Sequence, residues 1–363
     1  MQISLSPINQ TSTMSKHTAA SANVRNKPSF GSDERSANKE VINWGILGTG
    51  KMAGQMFEAF KYVENAKVQA VASRNEDTVK QFAEDRKIPK YYVGSEKLAK
   101  AKGIDVVYIA TPVASHYQNI LDCLNNGKHV LCEKPFASNA KEVKEMIDTA
   151  KRHNKVLMEA MMPTLLPNFE QVRQQMDKIG IIHSYFASYC QYSSRYDMFK
   201  AGEILNAFKA GMSNGALMDI GVYTIYPMVI LFGKPIRINA LGKLLSTGVD
   251  GQGMIQFEYP SMLATVVYSK IFESPLPTAI HGEDATIVID HINCIKSVTL
   301  NNRKNKTTED LSIQPLHHEY YYEIAEFINT IQSDKKESTI NSLQHSLWTM
   351  EIMDEVRRQV KNR

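Results

Sequence analysis

Residues 41–53 read Val41-Ile42-Asn43-Trp44-Gly45-Ile46-Leu47-Gly48-Thr49-Gly50-Lys51-Met52-Ala53. A short apolar run, Val41–Leu47, ends in Gly-x-Gly, and a segment with helical apolar spacing, Met52–Val63, follows at once. The pattern G-x-G-x-x-A is weak alone, but between a strand and a helix each position has a job. Gly48 allows the tight turn, Gly50 lets the backbone approach a pyrophosphate, and Ala53 lets the helix pack close on the strand. Thr49, Lys51 and Met52 lie at the helix start, where free N–H groups and the helix dipole favour anionic phosphate. The stretch therefore points to a bound dinucleotide; a purely structural turn is the alternative.

Strand and helix signals alternate outward from this turn. Lys67–Ser73, Ile104–Thr111, His129–Cys132 and Lys155–Glu159 read as short buried strands. Thr78–Arg86, His116–Asn125 and Ala140–His153 read as helices between them. That grammar specifies a parallel sheet wound on both faces. After about Met162 it changes. A helix at Leu165–Lys178 and a strand at Ile182–Gln191 precede strand-like runs at Ile236–Lys243, Gly253–Tyr259, Met262–Lys270, Thr286–Asp290 and Ser297–Leu300. Helices at Glu319–Gln332 and Ser342–Val360 close the chain. The expected fold is α/β: a Rossmann dinucleotide-binding domain over 41–161, then an α+β domain over 162–363 with a large, mostly antiparallel sheet.

The 363 residues suffice for about two domains at roughly 100–200 residues each. A net charge of +4 and the lack of a basic run interleaved with aromatics give no case for nucleic acid. The apolar stretch Leu217–Phe232 is interrupted by Asp219 and is short for a bilayer, so a buried helix is expected and no membrane. Cys123, Cys132, Cys190 and Cys294 fit no disulfide or zinc spacing, so a reducing compartment, the cytoplasm, is expected. No metal motif occurs. Residues 1–40 are polar and read as a disordered tail; a start at Met14 or a loose likeness to a transit peptide are the other readings.

The end of the second strand selects the cofactor. NAD-binding turns place an acid there to hold the ribose hydroxyls. Here the chain reads Val71-Ala72-Ser73-Arg74, and the first carboxylate is Glu76. Ser73 can donate a hydrogen bond and Arg74 can pair with a 2′-phosphate, so NADP is favoured, with NAD possible.

Lys134 follows a parallel strand at the edge where ligands bind in open α/β sheets, and Pro135 biases it toward an extended conformation. Asp219 and Tyr223 are spaced to share a helix face among apolar neighbours. Buried, they need partners: either both satisfy core backbone groups or both line a pocket. Thr111 and Pro112 follow the third strand at the same edge. His116 starts the next helix and either orients substrate or caps the helix.

From Val41 onward the chain resembles the glucose–fructose oxidoreductase/inositol dehydrogenase (Gfo/Idh/MocA) family. The glycine turn, Thr111-Pro112…His116, Gly127-Lys128-His129-Val130-Leu131-Cys132-Glu133-Lys134-Pro135 and Gly215-Ala216-Leu217-Met218-Asp219-Ile220-Gly221-Val222-Tyr223 carry the resemblance. Tyrosine at 223, where inositol dehydrogenases of the family carry His, resembles the dihydrodiol dehydrogenase-like branch. The resemblance implies an oxidoreductase moving a hydride between nicotinamide and a small hydroxylated substrate: an aldose, polyol or trans-dihydrodiol. It implies a cofactor site including Thr111, Pro112, His116, Glu133 and Lys134, and a homodimer or higher homo-oligomer. Tyr223 would be the general acid/base, its pKa depressed by Lys134, with Asp219 orienting the substrate. Arg195 and Tyr196, with Asn206 and Phe208, would form a substrate wall. A non-catalytic NADP-binding redox sensor on the same fold is the alternative.

Overall fold

The computed structural model describes residues 40–362; the expected tail lies outside them. Six strands form a parallel sheet: β1 (Ile42–Leu47), β2 (Ala66–Ser73), β3 (Lys90–Val93), β4 (Val106–Ile109), β5 (His129–Glu133) and β6 (Leu157–Ala160). Their order is β3-β2-β1-β4-β5-β6. Helices α1 (Lys51–Ala59), α2 (Glu76–Arg86), α3 (Ser95–Ala99), α4 (His116–Asn125) and α5 (Ala140–Arg152) alternate with the strands. Strand order reverses between β1 and β4, so the loops after these strands part and leave a crevice at the carboxyl edge. β4 is buried at every position, as a strand covered on both faces must be. β3, a short edge strand with two exposed residues, carries no such pattern and was not expected from the sequence.

Helix α6 (Pro167–Gln175) leads into β7 (Ile182–Cys190), followed by the short α7 (Tyr196–Lys200). A single π-helical turn, Leu217–Gly221, runs into α8 (Val222–Phe232). Strands β8 (Arg237–Leu244), β9 (Asp250–Glu258), β10 (Leu263–Ser269), β11 (Thr278–Gly282), β12 (Ala285–Ile289), β13 (Val298–Asn302) and β14 (Thr307–Asp310) complete an eight-stranded sheet with β7. Its pairs are antiparallel except β7 with β10. The apolar run expected as a buried helix is one: α8 and the π turn lie on the sheet over β7 and β10.

One continuous apolar core joins both sheets. Helix α9 (Tyr321–Gln332) sends Phe327 back against Trp44 of β1, with ring centroids 5.4 Å apart, and α10 (Leu343–Lys361) packs on α5, α8 and β8. Burying two such rings contributes several kcal/mol, on the order of 1.5–3 each. The C-terminal helix α10 thus joins the two sheets, touching both β6 and β8.

Candidate active site

In the turn after β1, Gly48 and Ala53 take the turn and packing roles expected of them. Gly48 has φ +120°, and a Cβ there would lie 2.6 Å from the Ala110 carbonyl oxygen after β4. Gly50 begins α1 with no side-chain cap, and a Cβ on it would meet no protein atom within 4 Å. Ala53 is fully buried under the helix. The open face of Gly50 and the uncapped N–H groups of a nine-residue helix suit a pyrophosphate. Thr49, Gly50 and Lys51 also border an open groove of about 610 Å³ between α1 and α2. At the end of β2, Arg74 is exposed, whereas the Ser73 hydroxyl donates to the Asn75 carbonyl at 3.0 Å. The donor expected of Ser73 is therefore engaged, and Arg74 is the cation left facing solvent there.

Lys134 follows β5 at a cis Lys134–Pro135 peptide. Its side chain is 12% exposed, and its Nζ donates to Asp219 Oδ1 at 3.2 Å and to the Asp219 carbonyl at 3.3 Å. The same ammonium lies 4.6 Å from the centroid of the Tyr223 ring. Lys134, Asp219 and Tyr223, separated in sequence, are thus one cluster at the sheet edge. The π turn contributes: Val222 N–H reaches back to the Leu217 carbonyl, so Asp219 sits on a wider turn than Tyr223. Beyond it, Pro227 inside α8 cannot donate to the Tyr223 carbonyl.

Lys270, which the sequence did not single out, completes the cluster. At the end of β10, with its side chain 4% exposed, it donates to the other Asp219 oxygen, Oδ2, at 2.7 Å. The Tyr189 ring of β7 meets Tyr223 edge-on at 5.6 Å. The only signal for Lys270 was a lysine ending an apolar strand; its partner is 51 residues away in the chain.

Charge in the cluster departs from expectation at Tyr223. Burial pushes its phenol up to about 12, and Glu133 and Asp219 add to the rise; the Lys134 ammonium lowers it but does not prevail. The expected depression is therefore corrected: one cation shared with a carboxylate cannot offset desolvation. Burial would also raise the Asp219 carboxyl, but Lys134 and Lys270 together outweigh it and hold it well below the usual carboxylate range. Burial opposes the charge on Lys134, yet Tyr223, Asp219 and Glu133 keep it protonated. The Asp219 side chain is 43% exposed, so solvent screens both ion pairs, and their worth is as a charge arrangement rather than as stability.

Other expected site residues are placed differently. His116 is 1% exposed, with Nδ1 3.1 Å from the Pro135 carbonyl and Nε2 2.8 Å from the Thr111 carbonyl. Burial lowers its pKa, so the neutral ring donates to one of these carbonyls and lies against the other, between the loops after β4 and β5; neither nitrogen is turned to the crevice expected to hold the cofactor. Glu133 is buried and accepts from the Tyr108 hydroxyl at 2.5 Å, so its side chain lies behind the crevice wall. Thr111 accepts from Asn119, and both it and Pro112 are half-buried after β4. Arg195 and Asn206 are exposed, Tyr196 stacks on Phe199 at 5.8 Å, and Phe208 is fully buried 5.3 Å from Lys270. Phe208 thus backs Lys270 rather than facing a substrate. Among the described residues no group of three or more His, Cys, Asp or Glu could hold a metal ion.

The family model for the oxidoreductase family Gfo/Idh/MocA, NAD-binding Rossmann fold, matches residues 42–161, and that for the Gfo/Idh/MocA C-terminal domain matches residues 169–288. The chain is 43% identical over 320 residues to a scyllo-inositol 2-dehydrogenase (NADP(+)) of Bacillus subtilis, covering 88% of this chain and 97% of that protein. It is 31% identical over 332 residues to a trans-1,2-dihydrobenzene-1,2-diol dehydrogenase of Xenopus tropicalis, covering 88% and 98%. Levoglucosan dehydrogenase, solved with NADH and levoglucosan, shares the fold with a TM-score of 0.81 at 19% identity, covering 89% and 98%. The chain therefore belongs to the Gfo/Idh/MocA family and is an NAD(P)-dependent oxidoreductase acting on CH–OH groups.

Proposed function

We propose that this enzyme interconverts a secondary alcohol and its ketone on a small polyhydroxylated ring, a cyclitol or aldose, with NADP preferred. The observation that carries the reading is the Lys134 ammonium shared between Asp219 and the face of Tyr223, at the carboxyl edge of the parallel sheet. The 43% identity to an NADP-dependent scyllo-inositol dehydrogenase supports the ring substrate, and the exposed Arg74 supports NADP. A trans-dihydrodiol is the next substrate to try, given the relatives named for it.

Nicotinamide, when bound, supplies the hydride acceptor or donor. Gly48, Gly50 and the start of α1 would hold its phosphates, and Arg74 the 2′-phosphate. Tyr223 moves the proton: in oxidation its phenolate takes the substrate hydroxyl proton at Oη, and in reduction its phenol returns it. With a pKa raised to about 12, the phenol is the resting form, so oxidation draws on Lys134 to lower the cost of the phenolate. Lys134 also faces the developing alkoxide, and ionised Asp219 accepts a neighbouring substrate hydroxyl.

We further place a homodimer contact on the outer face of the large sheet, where Leu241, Met254 and Leu263 are 52%, 55% and 64% exposed. Four free cysteines favour a reducing compartment, the cytoplasm.

The test mixes purified protein and NADP with cyclitols, aldoses and trans-diols and follows absorbance of the reduced cofactor. Turnover on one class is expected, with kcat falling about 100-fold or more in Tyr223→Phe and in Lys134→Met. Activity undiminished in both variants refutes the assigned chemistry. Tight cofactor binding with no turnover on any substrate favours a sensor.

A further inference from the structure

We propose that Lys270 is a positioning residue: by occupying one oxygen of Asp219, it leaves the Lys134 ammonium with charge available to the Tyr223 phenolate. The proposal rests on the reading of Tyr223 as the proton-transfer group. Its basis is geometric. Asp219 uses one carboxylate oxygen for each lysine, and the contact to Lys270 is shorter, 2.7 Å against 3.2 Å. Lys270 is nearly covered and backed by the Phe208 ring at 5.3 Å, so it cannot turn to solvent or reach a substrate directly. Its ammonium therefore acts through Asp219.

Charge balance shows why a second cation matters. Tyr223 faces Lys134 and Glu133 from the end of β5, Asp219 from the π turn, Tyr189 from β7 and Tyr320 from the turn before α9. Burial holds the phenols of Tyr189 and Tyr320 above the ordinary range, so both stay neutral. Glu133 is bonded to Tyr108 and is the same with or without Lys270; of the remaining groups, the two ammoniums balance Asp219 and an ionised Tyr223. Without Lys270, Lys134 is spent on Asp219 and the phenolate is an uncompensated charge in a half-buried site. No proton needs to leave Lys270 for this role.

The test is the pH profile of the holoenzyme in the oxidation direction, where the rate rises with phenolate. Lys270→Met should move the rising limb upward by about one pH unit and lower kcat about tenfold at neutral pH, with the loss recovered on raising the pH. Lys270→Arg keeps the charge and should restore the wild-type limb. Adding Asp219→Asn to Lys270→Met should move the limb back down, because Lys134 is freed again. Tyrosinate ultraviolet absorbance, taken as the difference between each protein and its Tyr223→Phe counterpart, should shift in parallel without any turnover. If Lys270→Met does not fold, Lys270→Gln carries the same comparison. A uniform fall in kcat with the limb and the tyrosinate titration unmoved overturns the proposal, as does a double variant that titrates like Lys270→Met. A limb that survives Tyr223→Phe overturns the general-base reading instead, while the tyrosinate titration still decides whether Lys270 sets the charge of Tyr223.

Discussion

The two glycines of the cofactor turn should fail in opposite ways when each is changed to alanine. At Gly48 the φ of +120° is strained for any residue with a Cβ, a cost of about 1–2 kcal/mol. The new methyl would also lie 2.6 Å from the Ala110 oxygen, about 0.7 Å inside an ordinary C···O contact. Neither side can yield easily, because Gly48 N–H donates to the Ala72 carbonyl and Ala110 N–H to the Leu47 carbonyl, both at 2.8 Å. Adding the displacement gives a stability loss of about 3 kcal/mol for Gly48→Ala. At Gly50 the φ of −79° suits alanine and the space is open. Alanine is a poorer helix cap than glycine but restricts the unfolded chain, so stability should stay within about 1 kcal/mol. Its methyl, however, stands where the pyrophosphate must approach, so the Kd for NADP should rise about tenfold or more. Urea unfolding followed by the fluorescence of buried Trp44, and titration with NADPH, measure the two quantities separately. The reasoning fails if Gly48→Ala unfolds at the wild-type midpoint, or if Gly50→Ala costs as much stability as Gly48→Ala.

Three further outcomes are expected. Arg74→Ala should raise the Kd for NADP at least about tenfold while leaving that for NAD within about twofold, read by fluorescence titration; equal changes for both remove Arg74 from the 2′-phosphate. Burial raises the Glu159 carboxyl from the ordinary 4.5 to about 7. A raised carboxyl gives stability that is full below its unfolded pKa and lost as pH rises through the folded one. Wild type should therefore lose about 3 kcal/mol relative to Glu159→Gln between pH 4.5 and 7, seen as diverging urea midpoints. Gln retains the acceptor for the Phe136 N–H, so equal pH slopes would count against the burial argument. Met254→Lys should convert the expected dimer to monomer in sedimentation velocity, and a monomeric wild type would remove the sheet face as an interface.

How much was legible from sequence depended on how local the physics was. The β1–α1 turn, the buried β4 and the helix His116–Asn125 follow from apolar period and glycine placement within a dozen residues, and they stand where expected. Strands β3 and β14 were missed because exposed edge strands need no apolar alternation; the five-residue β11 was missed too, although it lies inside the sheet between β12 and β7. His116 could be narrowed only to orienting substrate or capping a helix, because the carbonyls facing its nitrogens come from two loops far apart in the chain. Lys134 was legible as a strand-end lysine, but Lys270 and Tyr189 were not, since contacts across two sheets decide them. The depressed Tyr223 pKa failed for a related reason: sequence shows a cation nearby but not how much water the fold removes. Substrate branch was legible only in part, since a chain with Tyr223 has an inositol dehydrogenase as well as dihydrodiol dehydrogenases among its relatives.

The π turn before α8 has a mechanical consequence. A straight helix would lock Asp219 and Tyr223 into one rigid phase, so any tilt that re-aimed the tyrosine would drag the carboxylate with it. Here the change of pitch at Gly221 and the missing Pro227 donor isolate a short segment carrying Tyr223. Tyr223 thus opens a new helical phase, while Asp219, bonded by two lysines, ends the earlier one. The pitch of α8 therefore sets the aim of Tyr223 separately from the turn that carries Asp219.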